Sequence, residues 1–269
     1  MSADSRGAVT AVIAAHNESA NIEACVKSVA WAAQVIVVEN DSTDDSVAKA
    51  KLAGATVISP AFTTIGAARN NGITRAATPW VLVLDADERC TPELAVEIGT
   101  TVSGSSSLTA YRIPRRNFFL GREIRHGGWE RDRPVRLFRR ELRYDDSLVH
   151  EHVVVNGIPG ELNSALLHYT YTSLDQYFGK FERYSRHWAE QAHERGRKSG
   201  PLAILFKPPA RFASMYLFRG GWRDGAHGLV LASLAAASVM AKYVRLWERS
   251  LRTNTRLPSQ DSGNSLQDH

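Results

Sequence analysis

A chain of 269 residues, 43% of them hydrophobic, has ample material for a core and fits one large domain, or one domain with an appendage. Two cysteines, Cys25 and Cys90, exclude a disulfide framework and lack metal-ligand spacing, so a reduced cytoplasm is expected; residues 1–6 are short and polar, without the apolar core of a signal peptide. The net charge of +5 is uneven: residues 1–100 carry 7 Lys+Arg and 12 Asp+Glu, the remainder 26 and 16, so the basic second half suits phosphates, an anionic acceptor, an acidic membrane surface or nucleic acid.

Residues 9–15 predict a first strand, broken by His16-Asn17-Glu18-Ser19. Ile22, Cys25, Val26 and Val29 follow at i, i+3, i+4, i+7, one face of a helix, which makes Cys25 a small core residue. Residues 35–38 form a second buried strand, ended by Glu39-Asn40-Asp41. Ser42-Thr43-Asp44-Asp45 has capping-box spacing and predicts a helix to about Ala53. A short strand over 55–59 and a helix over 65–76 come next. After Pro79, Val81-Leu82-Val83-Leu84 reads as a buried parallel strand running into Asp85-Ala86-Asp87-Glu88. Thr91-Pro92-Glu93 then supplies the cap, first-turn proline and acid of a helix start. This alternation predicts an α/β fold with a parallel, helix-covered sheet.

Beyond Gly104-Ser105-Ser106-Ser107 the pattern changes. Residues 111–145 hold 11 Arg and 5 Asp+Glu, broken by Gly121, Gly127, Gly128 and Pro134. Short strands over 111–113, 135–139 and 149–155, joined by functional loops, are expected. Ser173-Leu174-Asp175-Gln176 is a capping box for a long helix. Its stripe of Leu174, Tyr177, Phe178, Phe181, Tyr184 and Trp188 reads as core packing rather than a ligand platform. Residues 201–224 are proline-broken, aromatic and basic. Residues 228–240 are apolar, but these thirteen fall short of the ~20 that span a bilayer. A core helix and an interfacial helix both fit them. Residues 253–269 are polar and expected to be disordered.

Asp85 and Asp87 stand i, i+2 at a strand end, where open α/β sheets bind ligands. Two close carboxylates repel unless a cation lies near, and a hard divalent ion that also holds substrate phosphates resolves the conflict. A strand-end turn followed by a helix cap is the plainer reading of the same pair. Asn17-Glu18 and Glu39-Asn40-Asp41 end two further strands, and in a parallel sheet all three sets converge on one edge. That edge could hold a base and ribose through carboxylates and a diphosphate through a metal, with Arg69 adding a cation. The chain has no G-x-G-x-x-G after a strand, no G-x-x-x-x-G-K-[ST] and no G-x-S-x-G. Dinucleotide-binding, P-loop and α/β-hydrolase readings are disfavoured accordingly.

Four motifs in order carry a resemblance: Ala14-Ala15-His16-Asn17-Glu18, Val38-Glu39-Asn40-Asp41-Ser42-Thr43-Asp44, Gly66-x-Ala68-Arg69-Asn70-x-Gly72-Ile73, and Leu84-Asp85-Ala86-Asp87-Glu88. Together they resemble the family 2 inverting glycosyltransferases of the GT-A fold. The later Gly128-Trp129-x-x-Asp132, Arg136-Leu137-Phe138-Arg139-Arg140, Val149-His150-Glu151, His168 and Gly225-x-x-Gly228-Leu229 look like the lipopolysaccharide core β-glucosyltransferase branch. The resemblance implies a Rossmann-like GT-A domain over 7–172, with a nucleotide-sugar half (7–100) and an acceptor half (101–172). A helical, membrane-associating region over 173–252 would follow. It implies donor binding by Ala15, Asn17, Glu18, Glu39, Asp41, Arg69 and Asp85, with Asp87, Asp85 and His168 holding Mg²⁺ or Mn²⁺. His168 is equally a structural hydrogen bonder.

Inverting transfer needs a base for the acceptor hydroxyl. Glu151 is the first candidate and Asp132 the second; an ordinary salt-bridged strand residue and a partner of Arg131 or Arg133 are the plainer readings. Trp129, Arg136 and His150 are placed on the acceptor side. His150 and His152 alternate along the expected strand and make a poor chelating pair. The expected partners are a nucleotide-sugar, a glycan or lipid-linked acceptor and an anionic membrane, but not nucleic acid. The expected function is metal-dependent transfer of a hexose, glucose from UDP-glucose, at the cytoplasmic face of the membrane. A sugar nucleotidyltransferase and an Arg-rich nucleic-acid binder are the alternatives.

Overall fold

A computed structural model describes residues 8–62, 64–145, 147 and 151–254, the last three without their side chains. The chain divides into two compact units, one ending at Thr172 and the other beginning at Ser173.

The first unit is built on β1 (Val9–Ala15), β2 (Gln34–Glu39), β3 (Thr56–Ile58) and β4 (Trp80–Asp85). These four pair in parallel, in the order β3-β2-β1-β4. The sheet continues through β9 (Val135–Arg139), antiparallel to both its neighbours, to β6 (Ala110–Arg112) and β10 (Gly160–Glu161). Successive side chains feed opposite faces: Ala11, Ile13, Leu82 and Leu84 enter one core, Val12, Val81 and Val83 the other. Both faces are covered, so the strands read as unbroken apolar runs. The crossovers are the helices α1 (Ile22–Ser28), α2 (Ser46–Leu52) and α3 (Ile65–Thr74); α4 (Pro92–Ser103) follows the fourth strand. Thr91 caps α4 as its sequence predicts, accepting the Leu94 amide at 3.2 Å. α3 lies close to the sheet because Gly72 lacks a side chain. A Cβ there would stand 2.4 Å from Val12 Cγ1 and 2.8 Å from Val38 Cγ2.

A second sheet, β5 (Glu88–Cys90), β11 (Leu166–Tyr171), β7 (Arg115–Phe119) and β8 (Arg122–Ile124), stands at the end of β4. No strand was expected over residues 88–90, 115–119, 122–124 or 166–171. They carry charged and polar residues whose burial depends on partners distant in sequence. Of the strand expected over 149–155, residues 149 and 150 lie outside the described residues, and an isolated bridge between Tyr144 and Val153 is what the described part forms. The expected capping box at Ser42 is corrected: α2 begins at Ser46, where Asp44 accepts the Ser46 amide at 3.0 Å.

The second unit comprises α5 (Leu174–Glu194), α6 (Pro201–Ala213), a π-helical turn (Ser214–Phe218), a 3₁₀ turn (Gly221–Asp224) and α7 (Gly225–Asn254). Ser173 caps α5 through the Gln176 amide at 3.2 Å. The aromatic stripe is only partly core: Tyr177 is buried, whereas Leu174, Phe178 and Tyr184 are exposed. The proline-broken stretch is largely helix. α6 runs through Pro208 and Pro209, and the π turn follows where the regular hydrogen-bond ladder has been interrupted. α7 has 30 residues, so the length that argued against a membrane span does not limit it. Residues Gly221–Leu251 are long and apolar enough to cross a bilayer. The expected tail is ordered as helix at 253–254, and 255–269 lie outside the described residues.

Candidate active site

Parallel pairing brings the acidic strand ends together. Ala15 pairs with Glu39 and Ala14 with Asp85, so β1, β2 and β4 present Ala15, Glu39 and Asp85 at one edge. Asn17 and Asp41, just beyond, adopt left-handed backbone (φ 52° and 46°), which short polar side chains tolerate. The Asn17 carboxamide accepts the Thr43 amide at 2.8 Å, tying the two loops. Glu39 is buried and accepts the Ser42 amide at 3.0 Å. Burial alone would raise its pKa, but the hydrogen bonds from Ser42 and Ser59 hold it below the usual carboxylate range. Glu18 accepts from the Asn21 carboxamide at 2.8 Å.

Asp85 occupies a cage of guanidinium groups. Arg69 donates to Oδ1, while Arg136 and Arg115 reach Oδ2. Burial pushes the carboxyl up, and Arg136, Arg69 and Arg115 outweigh it and hold the group well below the usual range. Both oxygens are engaged, so Asp85 orders the three cations around it. Beneath it lies Glu88, fully buried: it accepts the Asp85 amide at 2.8 Å and faces Arg115 Nε at 2.6 Å and Arg136 Nη2 at 3.3 Å. Arg136 is 3% exposed. It serves the carboxylates from below the site.

Asp87 lies on the other side of the turn. His168 on β11 brings Nε2 to 3.6 Å from Asp87 Oδ2. His168 Nδ1 lies 2.7 Å from the Asn117 carboxamide oxygen, an acceptor, which places a ring proton on Nδ1 and turns Nε2 toward Asp87. Asn117 is itself held by donating to the Trp129 carbonyl at 3.0 Å. A carboxylate beside an imidazole whose second nitrogen is already engaged is a donor set that fits a divalent cation. No cluster of three or more such ligands occurs among the described residues, so further ligands would come from diphosphate and water, as Mg²⁺ favours.

The two candidate bases stand on different arginines. Glu151 pairs with Arg69 near the first turn of α3, its side chain 14% exposed. Asp132 pairs with Arg115 at 3.1 Å, not with Arg131 or Arg133, and is 38% exposed. Trp129 opens a 3₁₀ turn (Trp129–Arg131) three residues before it. His150 lies outside the described residues. Glu88, Arg115 and Asn117 were missed in the sequence. The signal available for Glu88 was its place directly after Asp85-Ala86-Asp87; Arg115 and Asn117 lay undistinguished in the arginine-rich stretch. Of that stretch, Arg115, Arg116, Arg125, Arg131, Arg133 and Arg136 all face carboxylates, so it is not a free cationic face.

The family model for glycosyl transferase family 2 matches residues 10–147, which spans every strand-end carboxylate above. The chain belongs to this family. It is 27% identical over 249 residues to the lipopolysaccharide core biosynthesis glycosyltransferase LpsC of Rhizobium meliloti, covering 90% of this chain and 92% of that protein. It is 26% identical to an uncharacterized glycosyltransferase of Rickettsia typhi, covering 97% and 94%. Among solved structures, glucosyl-3-phosphoglycerate synthase from Mycobacterium tuberculosis, in complex with Mn²⁺, UDP and phosphoglyceric acid, matches 41% of this chain and 44% of its own. The TM-score is 0.36 and the identity 23%. The chain is a family 2 glycosyltransferase, with the expected mostly parallel α/β sheet and a C-terminal helical region.

Proposed function

We propose that this glycosyltransferase moves a hexose, glucose from UDP-glucose, to a hydroxyl of a lipopolysaccharide-core or other lipid-linked glycan, with inversion, at the cytoplasmic face of the membrane. The acceptor class rests on the similarity to LpsC over nearly the whole of both chains. The observation that carries the chemistry is the approach of His168 to Asp87 beside the caged Asp85. Glu39, Asn17, Glu18, Asp41 and Ala15 line the edge for the nucleoside, and Asp87 and His168 would hold Mg²⁺ or Mn²⁺. When bound, that ion supplies positive charge to the diphosphate.

Asp132 is the better-placed base. It is the more exposed carboxylate and lies beside Trp129, whose ring can stack on a sugar. Glu151, bound to Arg69 at the first turn of α3, supports the donor edge. Asp132 takes the proton of the acceptor hydroxyl, whose oxygen attacks the anomeric carbon. The bond from that carbon to the diphosphate oxygen breaks as the new one forms, and the electron pair leaves with the nucleoside diphosphate. A screen of UDP-, GDP- and TDP-sugars for metal-dependent turnover tests the donor. Asp87→Ala should abolish that turnover while leaving the thermal melt intact; unchanged transfer at saturating Mn²⁺ would remove Asp87 from the metal site.

A further inference from the structure

The second unit carries a surface that sugar transfer does not use. On α6, Leu202, Leu205 and Phe206 repeat at i, i+3, i+4 and are 72%, 63% and 61% exposed. An apolar helical stripe normally faces a core, and this one faces outward. Past the π turn, Leu217, Phe218 and Trp222 are 56%, 85% and 54% exposed. The tip that bears them is built rather than slack. Met215 is buried behind it, Phe212 packs on Tyr216 at 5.2 Å, and α7 closes on the turn so tightly that a Cβ on Gly228 would stand 1.9 Å from the Gly221 carbonyl oxygen. Residues 195–223 hold seven Lys and Arg and no Asp or Glu. Arg219 and Arg223 are exposed among the apolar tip residues, and the Arg223 guanidinium lies over the Trp222 ring, 5.3 Å from its centroid.

We propose that residues 201–223 dock this enzyme on an anionic lipid bilayer, with α6 in the interface plane and Phe218 and Trp222 inserted among the headgroups. Apolar side chains interleaved with cations, and with no acids, complement anionic headgroups over an acyl layer. A second copy of the same face would set like charges against each other. A bilayer core would not take Lys207, Arg219 and Arg223 at the level of the apolar residues. The inference rests on the reading of a membrane-borne acceptor for its purpose alone, so lipid binding and sugar transfer are measured separately.

The test is co-sedimentation of the full chain with phosphatidylcholine vesicles and with vesicles containing phosphatidylglycerol. Wild-type protein should favour the anionic vesicles and be released by salt. The double variant Arg219→Glu/Arg223→Glu should bind them at least about 30-fold more weakly. Phe218→Ser/Trp222→Ser should lose about 10-fold or more, with melting temperature and UDP-glucose turnover unchanged in both. That pattern upholds the surface even where transfer to a glycan acceptor fails. Vesicle binding at wild-type strength in both variants overturns it. So does a self-association that both variants abolish without any vesicle binding, and so does resistance of both variants to alkaline carbonate extraction, which would assign the contact to a spanning α7.

Discussion

At the scale of single residues, the site is a problem of buried charge. Asp85 pairs with three guanidinium groups that the fold holds beside it, and Glu88, Glu151 and Asp132 share them. Replacing it with Asn leaves those cations short of a partner, and breaking a buried pair costs about 3–5 kcal/mol, the lower end applying to a side chain 32% exposed. The folded-state pKa of Asp85 lies below its unfolded value, so its contribution is complete above about pH 4 and is lost as the pH falls through the folded value. The gap in melting temperature between wild type and Asp85→Asn should therefore be widest near neutrality and narrow below about pH 4; a gap independent of pH would show that packing, not charge, carries the loss. The base is tested at the same scale. Asp132→Asn should slow single-turnover transfer by about 10²–10⁴-fold with donor affinity unchanged. Glu151→Gln, which frees one side of Arg69, should weaken donor binding instead. The opposite pair of results would make Glu151 the base.

At the scale of elements, α3 decides whether the arginine cage forms. Its motif spaces Gly66, Ala68, Arg69 and Gly72 so that Ala68 and Gly72 face the strands and Gly66 faces Tyr144, Asp145 and Glu151, while Arg69 reaches Asp85 and Glu151. Gly72→Ala should cost about 1–3 kcal/mol through overpacking against Val12 and Val38. A lowered urea midpoint with unchanged slope, together with weakened donor binding, is the expected result; a wild-type midpoint would mean the helix is free to shift. Legibility in the sequence follows the same physics. β1, β2 and β4 were readable because both faces are buried in apolar side chains, and Thr91 and Ser173 announce their helices through local caps. β7 and β11 were not, because Arg115, Asn117 and His168 are held by partners far away in sequence, which no local pattern encodes. α6 was hidden by Pro208 and Pro209. The acidic strand ends of the site were legible. Glu88 and Arg115, which contact Asp85, were not, and Arg136 was seen without its carboxylate partners.

At the scale of the molecule, the chain divides at Thr172 into two compact units. Both core clusters of the first unit draw only on residues before Thr172, and the cluster of Ala189, Ala192 and Leu246 draws only on the second. The ion pairs of Asp85 with Arg69 and Arg136, of Glu88 with Arg115 and of Asp87 with His168 also lie within the first unit. A hydrophobic core that is complete within a segment is the physical requirement for that segment to fold alone. A chain ending at Thr172 should therefore unfold in one cooperative transition and bind UDP in the presence of Mn²⁺ with an affinity near that of the full chain. It should also fail to sediment with phosphatidylglycerol vesicles, because the basic, apolar segment over 201–223 is gone. Calorimetry of the nucleotide complex and vesicle sedimentation of the same preparation check both halves. A shortened chain that is folded but cannot bind the nucleotide would mean the second unit contributes to the donor site. One that still binds vesicles would move the membrane contact onto the catalytic unit.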